Sequence, residues 1–107
     1  MWIMLWMACH LHSGLFVPAR EQFVLGDNPH GRFSVKVENI GEVPVDLVVH
    51  EDGEPVSTVT LSPGDRTKSR FTAEQTALFV NHTDREASLS VDVVGDVGLS
   101  MDYAPLP

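Results

Sequence analysis

Apolar and polar side chains alternate with a period of two along most of this sequence, and this alternation restricts the folds that the chain can adopt. Phe33, Val35 and Val37 alternate with polar neighbours, as in a β-strand with one buried face. The same pattern recurs at residues 45–50, 56–61, 77–81, 87–93 and 99–103, and more weakly at 21–25. No stretch keeps apolar residues at the i, i+3, i+4 and i+7 positions of a helix, so the sequence predicts an all-β protein.

Residues that favour tight turns separate these runs. Gly41, Gly53 and Gly64 supply glycine where a turn needs a positive φ, and Pro63-Gly64 fits the central positions of a type II turn. Further turns are expected at residues 39–42, 82–85 and 95–98. Short strands separated by frequent turns are typical of a β-sandwich or a small barrel, and we favour a sandwich of about seven short antiparallel strands.

The expected core is the layer in which the inward faces of the two sheets meet. Its predicted members are Phe33, Val35, Val37, Leu47, Val49, Leu61, Phe79, Leu89, Val91, Leu99 and Met101. Phe71 and Tyr103 also fall at inward positions of the alternation.

The charge balance and the cysteine content exclude several classes of protein. The chain has 107 residues, which is enough for one domain. Its 15 acidic and 7 basic residues give a formal net charge of -8, whereas a nucleic-acid-binding protein needs a basic surface over the phosphates. We therefore expect no nucleic-acid partner. One cysteine allows neither an intramolecular disulfide nor a zinc site built on paired cysteines.

The first eight residues, MWIMLWMA, are uncharged and apolar, and Cys9 follows them directly. This run falls far short of the roughly 20 residues that a membrane-spanning helix needs. The segment resembles the end of a bacterial lipoprotein signal, in which a small residue such as Ala8 precedes the cysteine that receives the lipid. The resemblance implies lipidation of Cys9 and a location in the bacterial cell envelope, at the outer membrane or the periplasmic face. The alternative is a buried N-terminal strand with a free core cysteine.

The sequence accordingly divides into a leader (1–9), a short tether (10–20) and a sandwich domain (21–107). Two segments of the domain resemble immunoglobulin-like modules of bacterial surface proteins. They are VENIGEVPVDLVV at 37–49, with its Asn-x-Gly turn between two strands, and LSPGDRTKSRF at 61–71, with its Leu-x-Pro-Gly turn. This resemblance implies an immunoglobulin-like β-sandwich and no particular ligand, because a fold alone does not assign a function.

Arg66, Lys68 and Arg70 form the most unusual charge pattern in this acidic chain. Because they stand two residues apart, a strand would present all three cations on one side. They could dock an acidic partner or anionic lipid headgroups by electrostatic complementarity. Alternatively, they could guard an edge strand against pairing with another copy, which requires no partner. The sequence favours edge protection and leaves the docking patch open.

Histidines suggest a second hypothesis, a metal site. His10 and His12 lie beside Cys9, and His82 lies in a predicted turn. Copper and zinc need three or four ligands that converge on one point, and His30, His50 and His82 fall in separate turns or strand ends that would meet only by chance. Solvated surface histidines are the expected interpretation, so we predict no metal site and keep copper or zinc handling as the alternative.

The sequence does not favour an enzyme. No nucleophile motif, zinc-protease motif or phosphate-binding glycine loop occurs, and we expect no cofactor. A carbohydrate site is not favoured either, because few aromatic residues are expected at the surface. Residues 81–83, Asn-His-Thr, match a glycosylation motif that is common by chance.

These expectations combine into one interpretation. The chain is expected to be an exported, lipid-anchored, non-catalytic β-sandwich that acts as an accessory or protein-interaction module of the bacterial envelope. The alternative is a periplasmic domain that handles copper or zinc. An open sheet edge that accepts a partner strand would also suit an interaction module, although the sequence does not show whether such an edge exists.

Overall fold

Two antiparallel sheets stacked face to face make up the part of the chain that the computed structural model describes, residues 10–26, 31–95 and 101–106. The strands in chain order are β1 (His10–Val17), β2 (Glu21–Leu25), β3 (Phe33–Asn39), β4 (Val45–Glu51), β5 (Glu54–Leu61), β6 (Arg66–Phe71), β7 (Gln75–Val80), β8 (Ala87–Gly95) and β9 (Met101–Pro105). Sheet A has the order β1-β8-β3-β6, and sheet B has the order β5-β4-β7-β2-β9. The predicted all-β sandwich of antiparallel strands is confirmed, with nine strands in these ranges.

The pairing of the first eight strands is nested. Strand β1 pairs with β8, β2 with β7, β3 with β6 and β4 with β5. This is the strand order of a double-sheet jelly roll. An immunoglobulin sandwich has the orders ABED and CFG, in which several consecutive strands pair. In the described part of this chain only the consecutive strands β4 and β5 pair, so its strand order differs from that of an immunoglobulin domain.

Strand β1 changes the predicted boundary between tether and sandwich. Its residues 10–17 pair with β8 along their whole length, although the sequence suggested a tether over 10–20. Leu15 and Val17 alternate and face Leu89 and Ala87 across the ladder, but Ser13 and Gly14 interrupt the apolar pattern. Pairing with β8 orders this segment, so the sandwich begins at β1 and not at residue 21. The proposed leader, residues 1–9, lies outside the described residues.

The predicted core is confirmed in most of its members. Eight of the predicted residues are buried: Phe33, Val35, Val37, Leu47, Leu61, Phe79, Leu89 and Val91. Val49 is partly buried and packs against them, and Phe71 is also buried. Leu99 lies outside the described residues.

The burial predicted for Met101 and Tyr103 on β9 is wrong, although both lie on the inward side of sheet B, opposite Leu25 and Phe23. Met101 is 46% exposed and Tyr103 is 49% exposed. The reason is that β9 is an edge strand of sheet B, paired only with β2. The Tyr103 ring packs edge-on against Phe23 at 5.1 Å, and its hydroxyl donates to the Phe16 carbonyl at 2.9 Å. Tyr103 therefore links the β9 edge of sheet B to the β1 edge of sheet A.

The Asp52-Gly53 and Pro63-Gly64 turns take the predicted conformations, whereas Gly41 lacks the positive φ predicted for the turn at 39–42. The Gly41 amide instead donates to the Asn39 side-chain oxygen at 3.0 Å. In the β4–β5 hairpin, Asp52 and Gly53 both have positive φ, 53° and 80°, as a two-residue type I′ turn requires. Gly64 has a φ of 91°, and the Asp65 amide donates to the Ser62 carbonyl at 2.9 Å. Because Pro63 precedes Gly64, this is the predicted type II turn. The first turn joins the paired strands β4 and β5 and sets their register, whereas the second carries the chain from β5 in sheet B to β6 in sheet A.

Two buried asparagines fix the connections at the end of the sandwich that lies away from residue 10. The Asn39 amide donates to the Val43 carbonyl at 2.8 Å and to the Leu61 carbonyl at 2.9 Å. The Asn81 amide donates to the carbonyls of Val17, at 3.0 Å, and Arg85, at 2.7 Å. Both side chains thereby satisfy carbonyls of chain segments that leave the sheets. No buried side-chain nitrogen or oxygen in the described part of the chain lacks a hydrogen-bond partner.

The described ranges contain no helix of the length and apolarity needed to cross a membrane.

Candidate functional site

Strand β6 presents the three predicted cations together. Arg66, Lys68 and Arg70 are exposed on the outer side of sheet A, while the alternate residues are half-buried or, at Phe71, buried. Strand β6 is an edge strand because it pairs only with β3. The structure thus contains a row of cations on one side of an edge strand, which is the geometry that both a docking patch and edge protection need.

Two further cations, which sequence reasoning missed, join this row. Lys36 on β3 lies directly opposite Lys68, and Arg32 lies just before β3. Alternation along β3 predicts that Lys36 points outward, but only the pairing of β3 with β6 brings it beside Lys68. We call the five residues Arg32, Lys36, Arg66, Lys68 and Arg70 the basic face.

The basic face concentrates most of the positive charge of an acidic chain. It holds five of the seven lysines and arginines. The other two, Arg20 and Arg85, form ion pairs with Asp84 and Glu42. Among the described residues, no carboxylate forms an ion pair with any cation of the basic face. No described carboxylate therefore neutralises these five charges.

Two carboxylates share the outer side of sheet A with the basic face. Glu38 lies opposite Arg66 across the β3–β6 ladder, and Asp92 on β8 lies opposite Lys36. Neither is close enough to these cations to form an ion pair. The cations outnumber the carboxylates on this side of the described sheet, so its local potential is positive although the whole chain is negative.

A shallow pocket of about 360 Å³ opens at the end of sheet A where β3 begins and β6 ends. It is lined by Arg32, Phe33, Ser34, Arg70, Phe71, Thr72 and Val94. The rings of Phe33 and Phe71 stack at a centroid distance of 4.8 Å and an angle of 4°, and they supply an apolar wall. The two arginines and the two hydroxyl residues supply hydrogen-bond donors.

Gly95 at the end of β8 keeps this pocket end compact. It lies opposite Phe33 and has a φ of 131°. A Cβ atom at this position would lie 2.6 Å from the Arg32 carbonyl oxygen and 2.8 Å from the Phe33 Cα. Only glycine lets β8 approach the chain at Arg32 so closely.

Edge protection accounts for only part of the basic face. Lys36 is on β3, which is paired on both sides, and Arg32 precedes that strand. A cation on an interior strand does not block the pairing of an edge. Docking of an anionic surface, in contrast, would use all five cations, because they lie along β6 and beside β3 on one side of sheet A.

Strand β5 is a second exposed feature and forms the open edge of sheet B. Residues 54–60 are all exposed, and they include Val56 at 55% and Val59 at 39%. No lysine or arginine lies on β5. The start of the strand carries Pro55 and an irregular register beside Val49, two features that discourage edge pairing. The remainder is a regular edge, which supplies the open strand that the sequence could not show.

The histidines of the metal hypothesis do not converge. His82 follows Asn81, whose amide binds the Val17 carbonyl at the end of β1. His10 and His12 lie at the other end of β1, about 16 to 23 Å away along the strand at 3.3 Å per residue. His82 instead lies 3.5 Å from Asp46. The described residues contain no group of three metal-ligating side chains. One ion therefore cannot bind all three histidines, and a site at His10 and His12 alone stays a prediction.

The asparagine of the glycosylation motif at residues 81–83 is inaccessible in the folded protein. Asn81 is fully buried, and its amide nitrogen donates to three backbone carbonyls. Its side-chain oxygen accepts from the Thr83 amide and hydroxyl. Asn81 and Thr83, which match the motif, form a turn that depends on an unmodified Asn81 side chain.

Taken together, the fold and the site define an all-β sandwich with one basic face. The chain matches no protein-family model, and no curated protein matches its sequence.

Proposed function

We propose that this chain is an exported, lipid-anchored, non-catalytic β-sandwich that serves as an interaction module of the bacterial envelope. Cys9 carries the lipid, and the basic face docks a negatively charged surface. The observation that carries the proposal is the gathering of five cations, none paired with a described carboxylate, on one side of a chain whose net charge is -8.

The electrostatic part follows from the arrangement of the charges. Lys36 and Lys68 face each other across the ladder, and like charges in this position destabilise a sheet. An anionic surface would neutralise both and relieve the repulsion. Since the surrounding molecule is acidic, the basic face would also orient the chain as it approaches, in a manner that salt screens.

The anchoring part is supported by the sequence around Cys9. The eight residues before it are apolar and uncharged, and Ala8 precedes it directly. Strand β1 begins at the next residue, His10. A lipid on Cys9 would therefore hold the edge of sheet A close to the membrane with no tether between them.

Expression of the chain with its leader in a Gram-negative host, followed by membrane fractionation and mass spectrometry, tests the anchor. We expect a membrane-bound product with lipid on Cys9, and a Cys9→Ser variant that is released from the membrane. An unmodified Cys9 in a wild-type product that stays out of the membrane contradicts the proposal.

Chromatography on a phosphate-bearing cation exchanger at pH 7 tests the basic face. We expect the wild type to be retained at low salt despite its negative net charge, and a variant with Arg66, Lys68 and Arg70 changed to serine to pass through. The variant Arg20→Ser/Arg85→Ser is the control, because it removes cations outside the face. Lower solubility of the triple variant with unchanged retention would show that the cations protect the edge instead.

Titration calorimetry with copper and zinc distinguishes the alternative of metal handling. Sub-micromolar binding that disappears in a His10→Ala/His12→Ala variant would favour that alternative.

A further inference from the structure

We infer that the pocket between Arg32 and Arg70 binds the phosphate of an anionic phospholipid headgroup, so that the basic face lies on the membrane in which Cys9 is anchored. This inference rests on the proposed function for the anchor and names the surface that the basic face contacts. The partner is the membrane itself and not a second protein.

The register of sheet A places His10 and the pocket in one row. His10 lies opposite Val94, Val94 opposite Ser34, and Ser34 opposite Arg70. Neighbouring strands lie about 4.8 Å apart, so the row from His10 to Arg70 spans about 14 Å. Cys9 is bonded to His10, with about 3.8 Å between their Cα atoms. A lipid on Cys9 would therefore enter the bilayer within reach of the headgroups that meet the pocket.

The pocket has the chemistry of a phosphate site. The guanidinium groups of Arg32 and Arg70 offer planar pairs of N–H donors that match phosphate oxygens better than a lysine does. Ser34 and Thr72 add hydroxyl donors on the same lining. Val94 is 49% exposed beside them and offers an apolar surface to the glycerol carbons. Donors at one side and apolar surface at the other suit a phosphodiester that carries a glycerol backbone.

The remaining cations extend the contact from the pocket across sheet A. Lys68 and Arg66 continue the exposed row along β6, and Lys36 lies beside Lys68. Each cation near an anionic bilayer adds to the affinity, and a lipid anchor combined with a basic patch holds a protein on a membrane more firmly than either signal alone. The anchor would fix the position of the β1 edge of sheet A, and the basic face would fix the orientation of the sandwich on the membrane.

The acidic residues of sheet B do not oppose this orientation strongly. Glu51, Asp52 and Glu54 are exposed at the β4–β5 hairpin, which belongs to the sheet behind the basic face. Stacked sheets lie about 10 Å apart, and salt at cellular strength screens charges over about 8 Å. The membrane would therefore interact electrostatically mainly with the cations of sheet A.

Sedimentation of the full-length, unlipidated chain with vesicles tests the inference. The vesicles contain phosphatidylcholine either alone or mixed with phosphatidylglycerol. We compare the wild type with Arg32→Ser/Arg70→Ser and with the control Arg20→Ser/Arg85→Ser, which has the same net charge. Because the apolar leader is present in all three proteins, its contribution to binding cancels. All four arginines are exposed, and circular dichroism melts verify that each variant folds.

We expect the wild type and the control to prefer phosphatidylglycerol vesicles in a salt-sensitive way, and the pocket variant to bind them about 10 to 30 times more weakly. Equal binding by the pocket variant and the wild type overturns the inference. So does binding of an acidic polyglutamate peptide through Arg32 and Arg70 without any preference for phosphatidylglycerol, since the basic face would then serve a protein. Failure of the proposed anchor is seen separately, as an unmodified Cys9 in the mass spectrum, and does not depend on the vesicle result.

Discussion

Lys36 on β3 and Lys68 on β6 lie directly opposite each other on the exposed side of sheet A. A pair of like charges at facing positions costs the sheet stability. No described strand pairs with β6 on the other side of Lys68, whereas Lys36 also lies opposite Asp92. The arrangement is unfavourable for the free domain and favourable for one that binds an anionic surface.

A Lys68→Glu variant is expected to be more stable than the wild type. The substitution replaces a repulsive cross-strand pair with an attractive one, which is worth about 0.2 to 1 kcal/mol. Thermal unfolding at low salt measures the difference, which should shrink as salt is added. Lys36→Glu is the matched variant, and we expect little net gain from it because the new carboxylate would face Asp92. An equal or lower melting temperature for Lys68→Glu would show that the two lysines do not repel each other.

Replacing Asn81 with alanine is expected to destabilise the domain strongly. The substitution removes the donor for the buried carbonyl of Val17 and for the carbonyls of Pro18 and Arg85. Loss of a buried network of this kind costs about 2 to 4 kcal/mol. Chemical denaturation measures the change in the free energy of unfolding. Thr83→Val keeps the amide of Asn81, so its cost should be smaller, and equal costs for the two variants would contradict the assigned role.

Val91→Asp is expected to unfold the domain. Val91 is 6% exposed on β8 and belongs to the core between the sheets. An unpaired carboxylate there has no partner to replace its water. Val94→Asp places the same charge on the outer side of the same strand, where the side chain is 49% exposed, and should keep a native circular dichroism spectrum. A native-like melting temperature for Val91→Asp would mean that the inward face of β8 is assigned wrongly.

Gly95→Ala is expected to lower stability and to disturb the pocket. The added Cβ would meet the backbone at Arg32 and Phe33, and the φ of 131° is strained for any other residue. A cost of about 1 to 3 kcal/mol follows from that conformation. Gly14→Ala on β1 is the control, because a Cβ there meets nothing within 4 Å. Denaturant titration should separate the two variants, and equal stability would rule out the tight approach at Gly95.

Thr58→Lys is expected to reduce self-association without changing the melting temperature. Thr58 is exposed on the regular part of the edge strand β5, opposite Val48, and the strand carries no cation. A lysine on an edge discourages pairing with another copy. Ile40→Lys adds the same charge at an exposed position outside the strands and serves as the control. If dynamic light scattering at high concentration shows the same change for both variants, the effect belongs to the added surface charge and not to the edge.

The elements that sequence reasoning identified correctly are those that local chemistry specifies. Strand β3 alternates without interruption, and the Asp52-Gly53 and Pro63-Gly64 turns require the positive φ values that the structure contains. In each case the residues that determine the conformation are neighbours in the chain. Their preferences are therefore visible before any long-range contact is known.

The errors occur at the edges of the sheets. Residues 10–17 read as a tether because Ser13 and Gly14 break the apolar pattern, yet pairing with β8 makes them a strand. Met101 and Tyr103 alternate like core residues but lie on β9, where no further strand covers them. Whether an alternating strand is central or at an edge depends on its neighbours in space, which the alternation does not encode.

The candidate site shows the same division. Alternation alone predicts that Arg66, Lys68 and Arg70 point to one side of a strand, because the side-chain period of a strand is two. The pairing of β6 with β3 becomes visible in the folded protein, where it adds Lys36 and Arg32 to the cations and closes the pocket beside Val94. The side of a strand to which a side chain points depends only on its position among successive residues. The pairing of strands far apart in the chain instead depends on which nonlocal contacts bury the most apolar surface and satisfy the backbone.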